Sequence, residues 1–327
     1  MLLSGGEGRK MSNIIDVHAH IVFQDLNNEA GIHGPEAFED SEGRKCFKIG
    51  EYVFKNLDYE NSIFTDIDLR MDVMNRLGVD LQVLSPNPLT MFHGIEADTA
   101  IRFCKKHNDL MSKTVIDNDK FLGLAALPLQ DIEAACFELE RAVKELGLTG
   151  ASIGTDFPGG FDSAPLNQLY EKVVELDVPL FVHPASTDGR SGLRDDRLEN
   201  YNLSLSLGYA YEETLAVAQI IFGGVLNRFP ELDICISHGG GCFSFLADKT
   251  SKLAKFADND IDYLGMVKKL WFDTHIEGQS AKSLLYEFAN NQKIVFGTNF
   301  GGFDSPETIH PDAVALSVNA KKLLRLL

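Results

Sequence analysis

Ile14-Ile15-Asp16-Val17-His18-Ala19-His20-Ile21, the run IIDVHAHI at 14–21, is a short apolar segment carrying two histidines two positions apart. Residues at that spacing on a strand point to one face, so His18 and His20 are expected on the same side. Seven further runs of the same kind follow: LQVLSP (81–86), FLGLAALP (121–128), GASIG (150–154), PLFVHP (179–184), DICISHGG (233–240), KLWFDTH (269–275) and KIVFGTNF (293–300). Several are nearly continuous in apolar residues, as parallel strands covered on both faces require.

Amphipathic helix patterns lie between them. TDIDLRMDVMNRL runs to Gly78, and DIEAACFELERAVKEL opens on Asp131 and closes at Gly147. SAPLNQLYEKVVEL opens with Ser163 and places Pro165 in its first turn, while EETLAVAQIIFGGVLNRF stops before Pro230. These are the usual start and stop residues of helices. Eight strands alternating with helices predict an α/β fold of the (β/α)₈ barrel type, with an open doubly wound sheet as the competing topology. No linker or composition break divides the chain, so one barrel domain over 1–327 is expected, with residues 1–13 as an N-terminal extension. Residues 22–62 and 185–211 are too long for connections. They read as insertions after the first and fifth strands, at the strand ends where barrel sites sit.

Composition narrows the partners. There are 48 Asp and Glu against 30 Lys and Arg, a formal charge of −18. So acidic a surface repels phosphate backbones and anionic lipid, which argues against nucleic-acid and membrane partners. The five cysteines are scattered without paired spacing, which fits a reducing compartment, the cytoplasm by default. No stretch approaches about 18 consecutive apolar residues, and the N-terminal MLLSGGEGRK lacks the apolar core of a secretory signal.

Histidine placement carries the chemistry. Two imidazoles on one strand face suit a single divalent cation. His183 ends the fifth run in LFVHP, His238 the sixth in CISHGGG and His275 the seventh in FDTH, all on one rim of the expected barrel. His33, His93, His107 and His310 fall in loops or helices and read as solvated or locally bonded groups. Gly239, Gly240 and Gly241 lack the Lys-Ser/Thr of a phosphate loop and read as a tight turn that brings backbone close to the pocket. Cys235 reads as core. Phe92 and Phe300 end near strand C-termini as candidate walls for an apolar ligand.

Taken together, the first-strand His-x-His, the fifth-strand His-Pro, the sixth-strand His-Gly-Gly-Gly and the Phe-Gly-Thr end of the eighth strand resemble the amidohydrolase superfamily. The closer resemblance is to the amidohydrolase-2 branch, which includes aminocarboxymuconate-semialdehyde decarboxylase and γ-resorcylate decarboxylase. It spans roughly residues 14 to 305. The resemblance implies a single divalent metal, zinc or else manganese, with no organic cofactor. His18, His20 and His183 are then the implied ligands, and His238 the residue beside them that orients or deprotonates water. A homodimer and a small carboxylic acid substrate are also implied.

Two departures bear on this. Where the family ends its eighth strand with aspartate, a metal ligand that takes part in proton transfer, this chain has Asn299. An amide offers a neutral carbonyl oxygen and no acid or base. Asn299 thus stands as the candidate fourth ligand and second candidate catalytic position. It is natural or introduced, its proton work left to His238 or to a carboxylate such as Asp273 or Asp304, or it marks a barrel that has lost catalysis. Lys249 stands where decarboxylase relatives keep a substrate arginine, and Arg70 falls where the family keeps another. Both are candidate substrate-binding residues, as are Arg190, Arg194 and Arg197 of the fifth-strand insertion. The expected activity is metal-dependent, non-oxidative decarboxylation of a small unsaturated or aromatic acid. The alternatives are a hydrolase or hydratase using metal-bound hydroxide, and a catalytically impaired barrel.

Overall fold

The first strand, β1 (Ile15–Ile21), is buried along its whole length. A computed structural model describes residues 14–50, 52–157, 159–185, 196–198, 200–256, 261–302, 308–309 and 311–327. The N-terminal extension, Arg190, Arg194, Asp304 and His310 lie outside the described residues.

After β1 come β2 (Glu36–Glu39), β3 (Lys45–Ile49), β4 (Tyr52–Lys55) and α1 (Ile67–Leu77). The regular alternation then begins with β5 (Leu81–Pro86), α2 (Ala97–Asp117), β6 (Phe121–Ala126), α3 (Ile132–Lys144), β7 (Gly150–Gly154), α4 (Leu166–Glu175) and β8 (Leu180–His183). It continues through α5 (Tyr209–Phe222), α6 (Val225–Arg228), β9 (Ile234–Ile236), α7 (Phe243–Leu253), α8 (Tyr263–Val267), β10 (Trp271–Asp273), α9 (Gln279–Phe288), β11 (Ile294–Val295) and α10 (Ala313–Leu323).

The parallel strands run in the order β1-β5-β6-β7-β8-β9-β10-β11. Backbone hydrogen bonds join the two ends of that order. Val17 N–H donates to the Phe296 carbonyl, His20 N–H to Phe300, and Phe300 N–H back to His18. The sheet is therefore a barrel, and the open doubly wound alternative is excluded.

Apolar side chains separate into two layers. Ile15, Val17, Val83, Phe181, Cys235 and Trp271 cluster inside the wall, with Ala320 and Leu323 of α10 packed against them. Val182, Ile234, Ile236 and Phe272 face outward into the larger cluster shared with the helices. Each fully buried aliphatic side chain contributes roughly 1.5–3 kcal/mol.

One irregularity in β1 decides where the histidines point. Asp16 pairs with Gln82 and Ala19 with Leu84, so Val17 and His18 together oppose Val83. This β-bulge inverts the alternation. Ile15 and Val17 pack inside below it. Above it Ala19 and Ile21 pack outward, and His18 and His20 turn inward.

The insertion after β1 contains the antiparallel sheet β2-β3-β4, which single-strand patterns did not predict. Phe47 of β3 stacks on Tyr59 at 3.8 Å, and Tyr59 on Phe64 at 4.6 Å. The insertion thereby builds a wall over the barrel mouth. The expected long helix before Pro230 is broken where Gly224 adopts a left-handed φ of 66°, which separates α5 from α6.

Candidate metal centre

His18 and His20 from β1, His183 at the end of β8 and His238 just past β9 bring their rings together at the C-terminal end of the barrel. Ring centroids lie 5.0 Å apart for His18–His183, 4.7 Å for His20–His183 and 4.9 Å for His18–His238. His275, past β10, joins the rim 5.4 Å from His238.

Hydrogen bonds on the outer edges fix the tautomers. His18 Nδ1 donates to Asp273 at 2.8 Å, and His183 Nδ1 to the Pro184 carbonyl at 2.6 Å. Ser85 spends its hydroxyl proton on the Ala19 carbonyl, so it accepts from His20 Nδ1 at 2.9 Å. His238 Nδ1 donates to Glu213 at 2.7 Å. Every Nε2 is then left with its lone pair turned inward.

Burial holds the imidazoles neutral. It pulls His18 down to about 4 against the opposing pull of Asp273, and depresses His20 and His183 well below the ordinary histidine range. Burial works against the ionised form of Asp273, yet contact with His18 carries it below the usual carboxylate value. The same effect of burial raises Glu213.

The donor set fits a cation. His18 Nε2 and His20 Nε2 sit 3.2 Å apart with no proton between them, and buried His183 Nε2 has no hydrogen-bond partner. Two lone pairs facing each other, and a third left orphaned, are what a shared divalent ion satisfies. The nitrogens of His18, His183 and His238 also lie within 4.8 Å of one another, so His238 reaches the same point. It differs in exposure, 18% for its side chain against 5% for that of His18, and faces the open cavity.

His238 opens a left-handed turn whose next three positions are glycines. Its own φ is 44°, and Gly239, Gly240 and Gly241 continue at 59°, 75° and 67°. A Cβ on Gly241 would collide with the Ala210 carbonyl of α5. Gly241→Ala is therefore expected to displace the turn and cost about 3 kcal/mol, the sum of left-handed strain and overpacking. Denaturant unfolding of the variant measures it.

Above the rings lies a cavity of about 520 Å³. Tyr59, Phe64, Leu89, Leu205, Tyr209 and Ile276 supply apolar surface, and Asn87, Glu213 and Asn299 polar groups. Asn299 is buried with φ 52°, and its side chain hydrogen-bonds with His20.

Other expectations are corrected. Arg70 does not reach the cavity. It is fully buried between α1 and the outside of the wall, where it donates to Gln82 and to the His20 carbonyl and lies over the Phe300 ring. Burial lowers it to about 9, with Asp16 opposing the shift. Its role there is to hold the His20 backbone. Lys249 is exposed on α7 and does not line the cavity, and Arg197 is exposed in the turn Asp196–Leu198. Phe92 packs on Phe103 and Phe300 under Arg70, so neither is a ligand wall. Asp273 accepts from His18 Nδ1 and from His275 N–H and does not line the cavity, so it is not placed to deliver a proton to a substrate there.

Glu213 was missed from sequence. The signal was present: it falls on the same helix face as Ala216, Val217 and Ile220, all buried. A carboxylate on an apolar helix stripe must find a partner inside.

A family model described as Amidohydrolase matches residues 15–322. The chain belongs to the amidohydrolase family. It is 31% identical over 301 residues to 2-amino-3-carboxymuconate-6-semialdehyde decarboxylase of Dictyostelium discoideum, covering 88% of this chain and 81% of that protein. It is 29% identical over 308 residues to 2-keto-4-carboxy-3-hexenedioate hydratase of Sphingobium sp. strain SYK-6, covering 89% and 84%. Among solved structures, 5-carboxyvanillate decarboxylase from Sphingomonas paucimobilis superposes with a TM-score of 0.78 at 20% identity, over 95% of this chain and 98% of that one. A dihydroxybenzoic acid decarboxylase from Polaromonas sp. JS666, solved with manganese and the inhibitor 2-nitroresorcinol, gives 0.74 at 21% identity over 97% and 98%. These amidohydrolase structures share the barrel.

Proposed function

We propose that the chain is a metal-dependent, non-oxidative decarboxylase of a small aromatic or unsaturated carboxylic acid, working as one barrel domain. The observation that carries this is the set of inward-facing imidazole lone pairs at the floor of an apolar-walled cavity. Relatives named as decarboxylases support it.

His18, His20 and His183 would hold the ion, with the Asn299 carbonyl beside them. Three imidazoles suit zinc; manganese, present in a related structure, is the other candidate. When bound, the cation withdraws electrons from the substrate oxygens next to the bond that breaks. Among the described residues no Lys or Arg lines the cavity. Tyr59, Phe64 and Leu89 flank a flat ring or conjugated chain and exclude water. His238, held by Glu213, takes a proton at Nε2 from solvent and delivers it to the ring carbon. That carbon keeps the bonding pair as carbon dioxide leaves.

Asn299 orients and cannot donate a carboxyl proton. Asn299→Asp is expected to tighten metal binding roughly tenfold or more, since ligand charge sets affinity, and to raise weak lyase activity. Chelator competition measures the first, and unchanged binding would mean that residue 299 does not face the ion.

The deciding experiment is elemental analysis of the purified protein, followed by hydroxybenzoates and muconate-like acids assayed for carbon dioxide. Release with bound metal supports the proposal. Water uptake without release would make the chain a hydratase, and less than about a tenth of an equivalent of metal would make it an impaired barrel.

Leu207, Tyr211 and Leu215 form an exposed apolar stripe leading into α5, which supports a homodimer, testable by sedimentation. No described helix is long and apolar enough to cross a membrane. The five cysteines are free thiols, which supports a cytoplasmic setting.

A further inference from the structure

Asp273 ends β10 against the Nδ1 edge of His18, 2% exposed and outside the cavity lining. Its Oδ2 accepts from His18 Nδ1 at 2.8 Å and its Oδ1 from His275 N–H at 3.0 Å. Both hydrogen bonds are ones the carboxyl group accepts, the arrangement that a carboxylate satisfies without a proton of its own. Its ion-pair partner among the described residues is His18, an imidazole whose proton is needed on Nδ1 to keep Nε2 open. A buried charge without a counter-charge is strongly unfavourable. Room for the pair is kept by Gly297: a Cβ there would stand 2.8 Å from His18 Cβ and 3.0 Å from Asp273 Cβ.

We propose that Asp273 is the counter-charge of the ion, coupled to it through His18, and that it replaces the negative charge that Asn299 does not bring to the site. The inference rests on the metal reading of the histidines. Asp273 is a positioning residue that acts in two ways at once, fixing the His18 tautomer and balancing charge one imidazole away. In Asp273→Asn the amide N–H points at His18 Nδ1, drives the ring proton to Nε2 and closes the lone pair. Charge and tautomer are lost together.

The test uses the full chain stripped of metal, titrated separately with zinc and manganese ions against a chromogenic chelator, with thermal melts of both forms. Asp273→Asn is expected to weaken binding 10- to 100-fold, the usual effect of losing such an outer partner. Its metal-free form is expected to melt no lower than the metal-free parent, because an unbalanced buried charge has gone. The metal-loaded form alone loses stability. Adding Asn299→Asp to that variant should restore the part of the lost affinity that is due to charge and leave the part due to the His18 tautomer.

Unchanged affinity in Asp273→Asn overturns the proposal. So does a metal-free variant that melts lower or fails to fold, which would make Asp273 a packing residue. A parent chain that binds neither ion overturns the metal reading itself, and this inference with it.

Discussion

His183→Ala is expected to lose its metal and all turnover while keeping its fold. Among the described residues the ring's Nδ1 is tied to the adjacent Pro184 carbonyl, and its Nε2 has no hydrogen-bond partner. His183 lines the cavity, so the space left by the side chain joins that cavity. Structural zinc sites bind with about 10–16 kcal/mol, and one ligand's share is about 3 kcal/mol or more, a loss of roughly a hundredfold or greater in affinity. Elemental analysis after dialysis, with circular dichroism to check the fold, measures it. Full occupancy in the variant would show that the other imidazoles suffice and that His183 is no ligand.

His238→Gln should behave differently. The ion stays, because His18, His20 and His183 remain, but the group that carries the proton is gone. General acid–base catalysis contributes about 10²–10⁴-fold, so kcat should fall by that factor with KM little changed. Steady-state kinetics together with metal content of the same preparation distinguish the cases. If the metal leaves with the imidazole, His238 belongs among the ligands, as the approach of its nitrogen to those of His18 and His183 allows, and its assignment as proton carrier fails.

Much of this was legible in the chain. All eight strands stand where apolar runs predicted them, because parallel strands buried on both faces leave an unbroken hydrophobic signal. The rim histidines followed from strand ends alone. One helix cap was equally plain: Asp131 accepts from Ala134 N–H.

What escaped depends on contacts between distant elements. Arg70 sits on α1, and only the rotation of that helix against the sheet decides that its guanidinium meets the outside of the wall rather than the cavity. The β1 bulge leaves no local mark, since Val17 and His18 would read the same in a regular strand. Strands β2, β3 and β4 are half-buried and short, and their alternation is too weak to stand out. Glu213 meets His238 only because α5 packs on the glycine turn.

The seam between β1 and the chain after β11 has a consequence for biosynthesis. His18 and His20 stand on β1, yet their backbone is pinned by Phe296 and Phe300, nearly three hundred residues later. A nascent chain halted before that final segment already carries every histidine of the centre but cannot hold them in place. Fragments ending short of the closing strand are therefore expected to leave the His18 and His20 side chains unplaced.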